Sequence, residues 1–237
     1  MDDRGLRDVA CRANRDLAHL GLATLAFGNV SVIDRTAGIV AIKASGIACG
    51  AVEPDDIALV SLADGSPLGT ARRPSSDTPT HLELYRAFAG AGAVIHTHSA
   101  YATSWAQACR PIPPLGTTHA DHFRGPVPVT RTMEPAEIAG DYEAATGRVI
   151  VERFADGPDP LDVPAVLVAS HGAFIWGTDA PSALDNAVAL EHIAEIACHQ
   201  AAIGPLEPMR AELLGRHFDR KHGPTAYYGQ PARAGTP

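Results

Sequence analysis

Hydrophobic positions recur along this chain with two different rhythms. Over residues 4–20, Leu6, Val9, Ala13, Leu17 and Leu20 stand three or four positions apart, which predicts an amphipathic helix that Gly21 ends. Asn29–Asp34 and Gly38–Lys43 read as paired strands around a turn at 35–37. Ile57–Leu62 reads as another strand. Thr78-Pro79 opens a helix, because proline fits a first turn, and Leu82, Leu84, Tyr85 and Phe88 continue it to Gly90. Val94–His98 has strand character and Ala100–Ala108 helical character. Pro111–Pro128 reads as a loop rich in proline and glycine, Glu134–Thr146 as helix and Arg148–Glu152 as strand. Val163–Ala169 and Ala173–Trp176 predict strands on either side of Ser170-His171-Gly172. A long helix should run from Asp179-Ala180-Pro181-Ser182 through His199, and another over Pro208–Phe218. Beyond Lys221 no packing period remains. Strands in hairpin pairs, with helices between other pairs, predict an α/β fold with a mixed, largely antiparallel sheet covered by helices. No repeat or linker divides the chain, so one domain over 1–237 is expected.

Composition narrows the function classes. A chain of 237 residues can bury a sizeable core, and 46% hydrophobic with 19% charged residues is ordinary globular composition. The net charge of −8, with no lysine or arginine cluster, argues against a nucleic-acid surface. An anionic substrate would therefore need local attraction. No run approaches the roughly twenty apolar residues of a membrane span, and Met1-Asp2-Asp3-Arg4 leads into no apolar signal core. Cys11, Cys49, Cys109 and Cys198 are scattered without a C-x-x-C, which suits free thiols in a reducing, cytoplasmic setting.

The candidate chemistry is concentrated in short polar motifs. On a strand, His96 and His98 would point to the same face, and two imidazoles on one face can hold a divalent metal. His171, after the next strand, could bring a third imidazole and Asp77 an oxygen. Such a set fits zinc first, with manganese or cobalt as rivals. Taken alone, the histidines could equally be hydrogen-bonded core residues, and Asp77 a helix N-cap. Gly28-Asn29, Ser45-Gly46 and Ser75-Ser76 could cradle a phosphate with Lys43 nearby, or each could be a plain turn. No P-loop or dinucleotide fingerprint is present. Asp121 sits among small residues in Gly116-Thr117-Thr118-His119-Ala120-Asp121, free to reach a substrate or to be solvated. Tyr228, in Tyr227-Tyr228-Gly229-Gln230, could be a phenolic acid or an apolar anchor for the tail.

Together these segments resemble the epimerases of the class II aldolase/adducin-type superfamily. The matching stretches are Phe27-Gly28-Asn29-Val30-Ser31, Lys43-Ala44-Ser45-Gly46, Arg73-Pro74-Ser75-Ser76-Asp77-Thr78-Pro79-Thr80-His81 and Ile95-His96-Thr97-His98-Ser99. They continue with Gly116–Asp121, Ser170-His171-Gly172 and Lys221-His222-Gly223…Tyr227-Tyr228-Gly229-Gln230, so the resemblance covers about residues 5–230 and leaves 231–237 as a tail. It implies metal ligands at Asp77, His96, His98 and His171. It implies phosphate and substrate contacts at Gly28, Asn29, Ser45, Gly46, Ser75 and Ser76, with Lys43 and His217 as further polar residues of the site. It implies proton transfer by Asp121 and Tyr228. The implied fold is a three-layer α/β/α sandwich around a mixed, mostly antiparallel sheet, assembled as a homotetramer with active sites at subunit interfaces. The implied reaction converts L-ribulose 5-phosphate to D-xylulose 5-phosphate by breaking and re-forming C3–C4. His122 and Arg124 depart from the pattern, which has aromatic or smaller residues there. Two rivals are an aldolase acting on a sugar phosphate such as L-fuculose 1-phosphate, and a non-catalytic module like the adducin head. Related aldolases carry a glutamate where Asp77 stands, and a non-catalytic module could lose the three histidines that this chain retains.

Overall fold

Alternation along the strands decides the architecture. The computed structural model describes residues 2–69, 72–224 and 226–228. In chain order the elements are α1 (Asp3–His19), β1 (Asn29–Asp34), β2 (Ile39–Lys43), β3 (Ile57–Ser61), α2 (Thr78–Ala87), β4 (Ala93–Thr97), α3 (Ala100–Gln107), α4 (Thr117–Ala120), α5 (Pro135–Ala139), α6 (Tyr142–Ala155), β5 (Ala165–Leu167), β6 (Ala173–Gly177), α7 (Ala180–Ile203) and α8 (Ala211–His222). The six strands form one sheet in the order β3-β2-β1-β4-β6-β5, and every neighbouring pair is antiparallel. Among the described residues a single parallel bridge, Val129 to Leu167, extends it.

Successive side chains of a strand point to opposite faces. Val30, Val32, Ala41, Leu59, Ala93, Ile95, Leu167 and Ile175 pack on one face against α1, α3 and α7. Val40, Val60, Val94, Val166, Phe174 and Trp176 pack on the other face against α2 and α6. The result is the expected three-layer α/β/α sandwich. Each core holds one of the two tryptophans: Trp105 donates to the carbonyl of Ala194 at 3.2 Å on the α7 side, and Trp176 donates to that of Pro160 at 2.7 Å on the α6 side. Because both faces are covered, the strands read as near-continuous apolar runs.

Several sequence expectations about the elements need correction. Arg148–Glu152 is helix, not strand: it lies inside α6, whose Val149, Ile150 and Phe154 are buried. Tertiary packing overrides the β preference of Val149-Ile150-Val151, since α6 lies so close to α2 that a Cβ on Gly147 would stand 2.6 Å from the Cβ of Glu83. The helix expected over 134–146 is two helices, α5 and α6, separated at Gly140 and Asp141, with Asp141 capping α6. The loop over 111–128 contains α4, and α8 runs past Phe218 to His222. Gly229, Gln230 and the tail 231–237 lie outside the described residues.

One buried amide ties α1 to the sheet. The register of β1 with β2 begins at Ser31, so the main-chain groups of Val30 need another partner. Asn14 supplies it: Oδ1 accepts from Val30 N at 2.9 Å and Nδ2 donates to Val30 O at 2.9 Å. Replacing Asn14 with alanine leaves a buried donor and acceptor unpaired, each costing about 1–3 kcal/mol. We expect Asn14→Ala to lower unfolding stability by about 2–4 kcal/mol in urea titration.

Candidate active site

Three adjacent strands set the floor of the site. In the registers of β1 with β4 and β4 with β6, Asn29 faces His96 and His96 faces Phe174. These residues share the face toward α2 and α6, and the His96 imidazole stacks on Phe174 at 4.3 Å between ring centroids. His96 Nδ1 lies 3.0 Å from the carbonyl oxygen of Ala173. A carbonyl only accepts, so Nδ1 carries the proton and Nε2 keeps its lone pair. That lone pair faces His98, whose Nε2 is 3.0 Å away. His98 stands one residue beyond β4, not on the strand as the sequence suggested.

His171 completes the cluster from the turn between β5 and β6. Its ring centroid is 4.8 Å from that of His96 and 5.0 Å from that of His98. One nitrogen from each of the three imidazoles lies within 4.8 Å of the others. Two glycines permit this approach. A Cβ on Gly172 would stand 2.8 Å from Thr97 O and 3.4 Å from the His96 ring, and one on Gly28, at φ +89°, would stand 2.7 Å from His96 O.

The donor chemistry fits a divalent cation. Burial drives the imidazoles below their ordinary pKa, to about 3 for His96 and in the same direction for His98 and His171. They are therefore neutral at pH 7, the form that ligates metal. The bond from His96 Nδ1–H to a main-chain carbonyl is the outer contact that orients a ligating imidazole. Among the described residues this trio is the single group of its kind.

A cleft of about 230 Å³ opens over the histidines. It brings together Gly28, Asn29, Lys43, Ser45, Gly46, Ser75, Ser76 and Asp77 with His96, His98 and His171. Asp77 is beside the trio and outside the tight set of nitrogens. Asn29 Nδ2 donates to its Oδ2 at 2.6 Å and to Ser75 Oγ at 3.2 Å. Burial opposes ionisation of Asp77, but the imidazoles of His96 and His81 and the Asn29 hydrogen bond outweigh it, and its carboxyl lies below the ordinary value. Asp77 does not cap α2 through its side chain. Lys43 is buried and donates to the carbonyl of Ile47 at 2.6 Å; burial pushes its pKa down.

The remaining expected residues gather elsewhere in the chain. Asp121 accepts from Arg220 Nη2 at 2.7 Å, His217 Nδ1 lies 3.0 Å from it, and Lys221 Nζ is 3.6 Å away. Burial raises the Asp121 carboxyl, yet the Arg220 and His217 hydrogen bonds and the charge of Lys221 hold it below its usual range. The Arg220 guanidinium carbon and Lys221 Nζ each stand 4.8 Å from the Tyr228 ring centroid. Asp121, His217 and Tyr228 thus form one group around Arg220, and none of them lines the histidine cleft. Arg220 was not anticipated. Its signal was the spacing of His217, Arg220 and Lys221 at i, i+3 and i+4, readable only once the helix is extended past Phe218.

Residues 8–198 match the family described as the Class II Aldolase and Adducin N-terminal domain. The chain belongs to that family. It is 49% identical over 226 residues to "L-ribulose-5-phosphate 4-epimerase UlaF" of Salmonella paratyphi C (strain RKS4594), covering 95% of this chain and 98% of that protein. The protein of the same name from Salmonella typhi matches to the same extent. Among solved structures, an L-fuculose 1-phosphate aldolase superposes with a TM-score of 0.77 at 23% identity, covering 91% of this chain and 95% of that one. The l-fuculose-1-phosphate aldolase of Thermus thermophilus gives 0.66 at 23% identity, covering 85% and 98%. At such identity these two speak for the class II aldolase fold alone.

Three buried histidines have pKa values well below 6.5: His81 at about 4, His96 at about 3 and His119 at about 4, each lowered first by burial. Between about pH 4 and 6.5 the unfolded chain binds protons that the folded chain refuses, so stability falls as pH falls through that window. We expect the metal-free protein to lose several kcal/mol of stability between pH 7 and pH 4.5, read as a falling urea midpoint.

Proposed function

We propose that this protein is a metal-dependent L-ribulose-5-phosphate 4-epimerase, an isomerase that forms D-xylulose 5-phosphate. The observation that carries the reading is the histidine trio set in a cleft with Asp77 and three small polar loops. The high identity to epimerases over nearly the full chain supports it. We read the chain as one domain over 1–237, acting in the cytoplasm. No helix among the described residues is long and apolar enough to cross a membrane.

Asp77, His96, His98 and His171 would hold the cation, zinc first and manganese or cobalt next. When bound, a divalent cation supplies Lewis-acid stabilisation of negative charge developing on substrate oxygens. The rest falls to the chain's own groups. Gly28, Asn29, Ser45, Gly46, Ser75 and Ser76 bind the sugar phosphate, and the Lys43 ammonium adds local positive charge to an acidic protein. A base takes the C4 hydroxyl proton, and C3–C4 breaks to leave glycolaldehyde phosphate and the enediolate of dihydroxyacetone, which keeps the bonding pair. The aldehyde presents its other face, and the enediolate carbon attacks it to re-form the bond. The new C4 oxygen is then protonated from the opposite side. That chemistry needs two proton-transfer groups, and Asp121 and Tyr228 fill those roles with His217 as a polar neighbour. Both stand apart from the cleft of their own chain, which supports a homotetramer whose cleft is completed by a neighbouring subunit.

The direct test is incubation of the metal-loaded protein with L-ribulose 5-phosphate. The expected product by NMR is D-xylulose 5-phosphate, and release of free dihydroxyacetone and glycolaldehyde phosphate instead would make the protein an aldolase. Tyr228→Phe keeps the ring and removes the hydroxyl. It should lower epimerisation by about 10²–10⁴ and leave metal content unchanged. Near-normal turnover would reduce Tyr228 to an anchor of the tail.

A further inference from the structure

β4 ends at Thr97 and α3 begins at Ala100, so His98 belongs to neither element. Something else must fix it. The side chain of Ser99, at the N-cap position of α3, makes no capping hydrogen bond to its own helix. Glu191, which is half-buried on α7, supplies the acceptors instead. Its Oε2 accepts from Ser99 Oγ at 2.6 Å and from Ala102 N at 2.9 Å, and its Oε1 accepts from Tyr101 N at 2.8 Å. A carboxylate at a helix N-terminus takes donors the helix cannot satisfy and meets the positive end of its dipole. At the other end of α3 the carbonyl of Ala106 accepts from Ser170 N at 2.9 Å. Ser170 has φ +62° and immediately precedes His171. Helix α3 therefore bridges the two turns that carry His98 and His171, and Glu191 holds the end nearer His98.

We infer that Glu191 is a positioning residue for the histidine cluster, acting through α3 to fix His98 relative to His171. The inference rests on the metal-centre reading above. A cap that served stability alone would look similar in a thermal melt, so the deciding measurement is metal affinity. Groups hydrogen-bonded directly to a ligand typically change metal affinity about 10–100-fold. Glu191 acts one step further out, through Ser99 and the first turn of α3, so a loss at the lower end of that range is expected.

The experiment compares wild type with Glu191→Gln, Glu191→Ala, Ser99→Ala and Leu6→Ala. Zinc affinity is measured by competition with a chromophoric chelator, and the visible spectrum of the cobalt-loaded protein reports ligand geometry. Leu6 is buried beside Asp34 and Gly92, at the end of β4 remote from His96, and serves as the control for lost stability. The expected result is an affinity loss of about tenfold in both Glu191 variants with an altered cobalt spectrum, and a smaller loss in Ser99→Ala. Leu6→Ala should melt earlier yet bind zinc as wild type does. Glu191→Gln is nearly isosteric, so it carries the test if Glu191→Ala does not fold. Wild-type affinity and spectrum in Glu191→Gln would overturn the positioning role alone. Failure of wild type to bind zinc, cobalt or manganese, or equal binding by His96→Ala, would overturn the metal centre and this inference with it.

Discussion

The hydrogen bond from His96 Nδ1 to the Ala173 carbonyl couples the sheet to the chemistry. It forms between paired strands, so it exists only in the native register of β4 and β6. A shift of one residue would turn His96 to the α1 side of the sheet and leave Phe174 without its stacked ring. With the register in place, the bond fixes the tautomer, the tautomer directs the Nε2 lone pair toward His98, and the lone pair defines where a cation can sit. The same register places Asn29 next to His96 on the neighbouring strand, and Asn29 in turn holds the Asp77 carboxylate. Fold and candidate site therefore rest on one strand alignment.

Electrostatics follow from that placement. The chain is acidic overall, yet the cleft combines neutral imidazoles, a buried ammonium and small polar loops around a single carboxylate. Burial keeps the imidazoles unprotonated, and at neutral pH the hydrogen bond from Asn29 favours the ionised carboxyl of Asp77. The second cluster uses the opposite arrangement: Asp121 is surrounded by Arg220, His217 and Lys221, and is held anionic by direct hydrogen bonds. Tyr228 packs its ring against the same Arg220 and Lys221.

Much of this was readable from the sequence, for identifiable reasons. The strand pairs, the helix from Thr78 and the long helix from Asp179 have clear punctuation at their starts and begin where expected, although the long helix runs past His199 to Ile203 and the other ends at Ala87. The residues that line the cleft were marked by the family resemblance, since each short motif taken alone could equally have been a turn. Arg148–Glu152 was misread because a run of β-branched residues looks like a strand until packing against α2 is known. The end of α8 was missed because Lys221 and His222 are polar, and a partly exposed last turn carries no apolar period. The Asp121–Arg220 contact joins residues 99 positions apart, and nothing local announces it. Glu191 was invisible for a related reason: a lone carboxylate on a helix looks solvated until its partners are in view.

The placement of Trp105 and Trp176 has an optical consequence. These are the chain's two tryptophans, and the sheet separates their indoles, one in each core. Each is hydrogen-bonded at Nε1 to a different carbonyl, so their emission need not shift together. Two single-tryptophan proteins would turn intrinsic fluorescence into a separate gauge for each helical layer. With them, melting of the layer that bears Glu191 could be timed against melting of the layer that backs His96.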